Sequence, residues 1–171
     1  MLASSLVACS DDDGDGSSGT HEPTGSAYYQ ELADLTGGLD EQNTAADEEL
    51  NEAVPTADPA EIGNLFSEAT LESADRLEAA LDEMAALEPP EDAVEAHSDL
   101  LTATTAELEL SRAFADTLAG LDQQGVEALS PPPEQPFIET STDDACAALQ
   151  ALADSAGADV ELCVGMFAPP A

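Results

Sequence analysis

Between residues 26 and 156 the chain shows long stretches of three- and four-residue apolar spacing, separated by short segments rich in proline or glycine. Tyr28, Leu32, Leu35 and Leu39 form one such stripe, which predicts a helix over 26–53. Gly37-Gly38 interrupts the stripe and predicts a kink or break; Leu50 and Val54 resume it before Pro55. Asp58-Pro59-Ala60-Glu61 reads as a helix start, with an acid at the cap, proline first and glutamate third. The second helix then carries Ile62, Phe66, Ala69, Ser73, Leu77, Leu81 and Met84 on one face, with Leu87 last and Pro89-Pro90 as its stop. A third helix opens after those prolines and runs to about Leu121. Val94, His97, Leu101, Thr104 and Leu108 form its first line, and Leu110, Phe114, Leu118 and Leu121 continue it. The run from Ser130 to Pro136 is extended and polyproline-like in expectation. A fourth helix is predicted from Thr142 to Ala156, facing inward through Ala145, Leu149 and Leu152, with Gly157 as its C′ residue. Val160-Glu161-Leu162-Cys163-Val164 alternates and predicts a short extended segment laid back over the helices.

Short connections between amphipathic helices favour antiparallel neighbours. The expected fold is therefore all-α, an up-down antiparallel bundle of about four helices over 26–168. A disordered acidic tether is expected over 9–25, and 1–8 reads as the remnant of a signal peptide. No fixed-period repeat is visible, and no apolar run approaches the ~20 residues that a membrane-spanning helix needs.

Composition sharpens this picture. Hydrophobic residues make up 43% of the 171, enough for one core. Aromatics are only 4% and tryptophan is absent, so small alanine and leucine side chains must do the packing. Charge changes the picture more. The chain has 38 Asp and Glu against 2 Lys and Arg, a formal net charge of −36. The two cations are Arg76 and Arg112, and there is no lysine. Such a chain repels itself at low ionic strength. At 1 M salt the Debye length falls to roughly 3 Å and most of that repulsion is screened. The balance resembles the acidic proteomes of halophilic archaea and bacteria. It also argues against a nucleic-acid partner, since nothing is present to neutralise phosphates.

The amino terminus carries the most specific motif. Leu6-Val7-Ala8-Cys9 resembles the lipobox of bacterial lipoproteins. In that family a branched apolar residue stands three before the cysteine and small residues just before it. The resemblance implies diacylation of Cys9 through its sulfur, cleavage that leaves Cys9 first, and anchoring on the extracytoplasmic face of a cell membrane. The following Ser10-Asp11-Asp12-Asp13-Gly14-Asp15-Gly16-Ser17-Ser18-Gly19 has the composition of a flexible linker. Only eight residues precede Cys9 and none is basic, whereas a signal peptide needs a basic n-region and a 7–15-residue apolar stretch. The true start is therefore expected upstream of Met1.

Cys146 and Cys163 are the other two cysteines. An extracytoplasmic location permits their oxidation, which would staple the tail to the fourth helix; two buried free thiols are the alternative. His97 sits on the apolar stripe and reads first as a core histidine bonded to a neighbour. Paired with Met84 across the Pro-Pro turn it would suit copper(I), though two ligands make a weak site. Asp11 to Gly16 resembles part of a calcium loop but lacks the closing glutamate and flanking helices, so it reads as a nonspecific counterion binder. His21 lies in the tether and carries no signal.

Tyr28-Tyr29 at a helix start, Pro89-Pro90 with His97 seven residues later, and the pair Ala145-Cys146 and Leu162-Cys163 occur together. In this combination the body is similar to uncharacterised helical extracytoplasmic lipoproteins of actinobacteria and chloroflexi. That resemblance implies a helical fold and a location, and it brings no activity with it. There is no nucleophile elbow, Gly-rich phosphate loop or HExxH, and acids are too many to single out a general acid. The expectation is a non-enzymatic lipoprotein without a cofactor, adapted to high salt, that binds an unknown protein or small molecule. The alternative is an extracytoplasmic calcium or copper binder using acidic residues or His97 and Met84.

Overall fold

The computed structural model describes residues 25–129 and 136–163. The expectations for the lipobox, Cys9, the tether, the proline-rich run over 130–135 and the end of the tail lie outside the described residues. Among the described residues five α-helices follow in order: α1 Gly25–Ala53, α2 Ile62–Ala85, α3 Val94–Leu118, α4 Gln123–Ala128 and α5 Pro136–Ser155. A 3₁₀ turn, Val54–Thr56, closes α1. Among the described residues there is no strand.

The four long helices form an up-down bundle. α2 packs most extensively on α3, α3 on α5, and α1 on α2; α1 and α5 touch only lightly. Across the α2–α3 seam, Ser67 Oγ donates to the Ala115 carbonyl at 2.8 Å, and Arg112 reaches back to Glu78 at 2.7 Å. On the α1–α2 seam, Asn43 meets Arg76 while Gly38 faces the level of Ala79 and Ala80. In both seams rising numbers on one helix meet falling numbers on the other, so neighbours run antiparallel.

Inside lie Tyr28, Leu32, Leu39, Leu77, Met84, Leu100, Leu108 and Leu149, with alanines at 74, 93, 96, 145 and 153. The alanines carry more of the seams than the large-residue stripes suggested. On α3 the buried line uses Ala96, Ala103 and Ala115, and Val94, expected inside, is 51% exposed. On α2, Gly63, Ser67 and Ala74 are buried. Small side chains let helix axes approach, which turns the buried face slightly away from the bulkiest residues.

Several boundaries differ from expectation, each for a local reason. Gly37-Gly38 does not break α1. Buried Leu32, Thr36 and Leu39 hold both sides of the pair in the core. That packing outweighs the roughly 1 kcal/mol per glycine of lost helix propensity. α2 begins at Ile62 rather than beside Asp58, whose Oδ1 accepts from the Ala60 amide and closes a separate turn. The Gly63 amide instead donates to the Leu121 carbonyl at 3.0 Å. α2 also ends at Ala85, before Leu87.

α3 stops at Leu118, short of Leu121, because Leu118–Leu121 is a type II turn. Gly120 takes φ +79 and the Leu121 amide donates to the Leu118 carbonyl. Asn64 Oδ1 accepts the Gly120 amide and pins this turn to α2. The turn leads into α4, which the periodicity did not show. Asp122 caps it by accepting from the Gly125 amide at 2.8 Å. α5 starts earlier than Thr142, at Pro136, which suits the first turn of a helix. Its other end is as expected. Gly157, at φ +73, donates to Asp154, and Ala158 donates to Ala153, the two bonds of a Schellman close.

Candidate functional site

Three places bring chemically capable side chains together. The first is the end of the bundle where α1 begins and α2 turns into α3. Gly25 lies against Pro90 there, so the start of α1 abuts the Pro89-Pro90 turn. Tyr28 Oη stands 2.8 Å from Nδ1 of His97, linking α1 to α3 through the interior. Tyr28 packs edge-on against both Tyr29 and His97, with centroids 5.0 and 5.7 Å away. Burial, with a smaller push from Tyr29, raises the Tyr28 phenol well above its ordinary value, so it keeps its proton. Burial likewise lowers the His97 imidazole.

The histidine is thus the hydrogen-bonded core residue its position on the stripe indicated. Met84 is fully buried at the same end. The Tyr29 hydroxyl is buried with no hydrogen-bond partner. Burial and the charge of Asp92 both raise its phenol. Tyr28 and His97 form a hydrogen-bonded pair within an otherwise largely apolar core.

The second place is a groove of about 750 Å³ between α3 and α5. Its floor includes Ala103, Ala145 and Ala148, and its rim carries Asp92, Glu95, Asp99 and Asp144. Alanines offer no orienting contact, and the carboxylates are spread along the rim. Among the described residues, no group of three or more His, Cys, Asp and Glu stands where one metal ion could be held.

The third is the tail. The sulfurs of Cys146 and Cys163 lie 2.10 Å apart, with Cα atoms at 6.1 Å, a disulfide distance. Gln150 fastens the same segment: its amide nitrogen donates to the Val160 carbonyl, and its Oε1 accepts from the Leu162 amide. The Cys163 amide then reaches Thr36 Oγ1 on α1 at 3.3 Å. Leu162 is buried and joins the core cluster. The tail therefore fills the seam where α1 and α5 scarcely meet. Sequence reasoning placed the tail over the bundle; it missed Gln150 and Thr36, whose polar character on half-buried or buried helix positions was the available signal.

Cations are used sparingly. Among the described residues the only ion pairs join Arg112 to Asp75 and Glu78. The hydrogen bond from Arg112 lowers Glu78, and Arg112 is raised in return. Among the described residues no helix is long and apolar enough to cross a membrane. No protein-family model matches the chain, and no curated protein and no solved structure matches it.

Proposed function

We propose that this is a membrane-anchored extracytoplasmic lipoprotein whose helical body is a non-catalytic binding module adapted to high salt. The observation that carries the reading is the Cys146–Cys163 pair at disulfide distance. A structural disulfide suits an oxidising compartment. It leaves Cys9, directly after Leu6-Val7-Ala8, as the one remaining thiol and the natural lipid site. Two acyl chains on that cysteine would give a stable anchor, where one gives only marginal binding.

The binding role rests on the inventory. Two buried polar groups, Tyr28 and His97, serve each other, and the open features are grooves between helices. A metal-binding role has less to support it, since Nδ1 of His97 is taken by Tyr28. The charge balance makes protein or small-molecule partners the expected ones and disfavours nucleic acid.

The test is the intact mass of the mature amino terminus, purified from the membrane fraction of the native host. Diacylglyceryl-modified Cys9 with residues 1–8 removed supports the proposal. An unprocessed terminus in the soluble fraction sinks the anchored reading.

A further inference from the structure

We infer that the groove between α1 and α2 is a binding site for a short zwitterionic peptide with free ends. The inference deepens the reading of the bundle as a binding module and rests on it, but it is independent of the anchor.

Arg76 is the starting point. It is half-buried on α2, and its Nε donates to Asn43 Oδ1 at 3.1 Å; Ser73 also reaches that oxygen, at 3.4 Å. Among the described residues no carboxylate lies within ion-pair distance of its guanidinium, in a chain with 38 acids. Asn43 thus orients the guanidinium and leaves its two terminal nitrogens for something else. A planar fork of that kind matches a carboxylate bidentately.

Arg76 lines a groove of about 490 Å³ whose other charges are distributed along its length. Asp75 stands beside Arg76 and is engaged by Arg112. Asp34 on α1 and Glu83 on α2 lie toward the opposite end, and both are exposed. Arg76 and Glu83 are seven residues apart on one helix, about 10 Å along its axis. Between them the lining is apolar or bare: Leu35, Leu39 and Ala80, with Gly38 in the middle. A Cβ built at Gly38 would meet nothing within 4 Å, so the packing of the bundle does not require that glycine. Its absent side chain keeps the groove open and lets another backbone approach α1.

A cation at one end, two carboxylates at the other and an apolar middle select a ligand of matching polarity. Its carboxylate goes to Arg76 and its ammonium to Asp34 and Glu83. Three extended residues span about 10 Å, which is the separation available. A longer peptide would have to bulge, and a single amino acid would reach only one end.

The test is a titration of the full chain in molar salt with Ala-Ala-Ala, its N-acetyl form and its C-terminal amide, followed by amide NMR shifts. The expected result is saturable binding of free Ala-Ala-Ala centred on Gly38, weakened at least tenfold by either cap. Arg76→Gln should weaken the free peptide at least tenfold and make the amide and the free peptide equal. Absence of saturable binding, or binding indifferent to both caps, overturns the inference. The capped peptides test it on the unaltered protein, so misfolding of the variant cannot mask the answer. Failure here with a lipidated Cys9 leaves the anchored reading intact; binding with an unlipidated terminus does the reverse.

Discussion

The Tyr28 hydroxyl and Nδ1 of His97 share a hydrogen bond of 2.8 Å, between residues 69 apart in sequence and both inside the core. Tyr28→Phe removes one partner and leaves the buried imidazole nitrogen unpaired, which costs about 1–3 kcal/mol. A denaturant titration at fixed high salt measures it; an unchanged midpoint would show that the bond contributes nothing.

The same bond gives stability a pH dependence. Burial holds His97 below its ordinary value of 6.5, so the unfolded chain takes up a proton that the folded one resists. The stabilisation is complete above pH 6.5 and is lost as pH falls through the lowered value of the folded histidine. Denaturant midpoints from pH 8 to 5 for the wild type and His97→Gln isolate this effect from the carboxylates. The wild type should lose stability relative to the variant on acidification, and parallel curves would refute it.

Two glycines should respond in opposite directions to alanine. A Cβ at Gly63 would lie 2.3 Å from the Leu121 carbonyl and 2.5 Å from that of Leu118, both rigid backbone atoms. Gly63→Ala should therefore separate α2 from the turn after α3 and cost about 3 kcal/mol or more. At Gly37 a Cβ meets nothing, so Gly37→Ala should gain roughly 0.5–1 kcal/mol from helix propensity. Thermal melts by circular dichroism would separate the two by sign.

The tail should depend on its cysteines. Cys146 and Cys163 are 17 residues apart, a loop whose closure is worth about 3 kcal/mol in chain-entropy terms. Reduction, or replacement of both by alanine, should lower stability by up to about that amount. It should also speed hydrogen exchange at the Leu162 and Cys163 amides, which bond to Gln150 and Thr36. Unchanged exchange would mean that Gln150 holds the segment unaided.

Net charge should make folding depend on salt. With 38 acids and only two arginines to offset them, a net charge of −36, the body is expected to be poorly helical in dilute buffer and helical above roughly 1 M salt. Full helicity by circular dichroism in dilute buffer would remove the halophilic interpretation.

The helical content was legible because a 3.6-residue period survives even in an aromatic-poor chain. Leu32, Leu77, Met84 and Leu149 all sit where their spacing put them. The exact buried faces were less legible. An alanine at 96, 103 or 115 looks the same in sequence whether it lines a seam or faces water, and only the approach of a neighbouring helix decides. Local caps misled at Asp58, since it serves the Ala60 amide in a separate turn, while the Gly63 amide at the start of α2 is met by Leu121, 58 residues beyond Gly63. The short α4 has no apolar stripe to reveal it; its one sequence signal was Asp122 three residues before Gly125. His97 was legible as a core residue, but not its bond to Tyr28, because no local pattern pairs the first turn of one helix with the first turn of another.

The contact of Gly25 with Pro90 gives the bundle a direction. The chain enters beside the Pro89-Pro90 turn, while Pro59 and Gln123, joined by a backbone bond, mark the opposite pole. α1 alone, at 29 residues, sets these poles roughly 40 Å apart. A lipid on Cys9, as proposed, would therefore join the bundle at its Tyr28–His97 pole, the pole farther from α4.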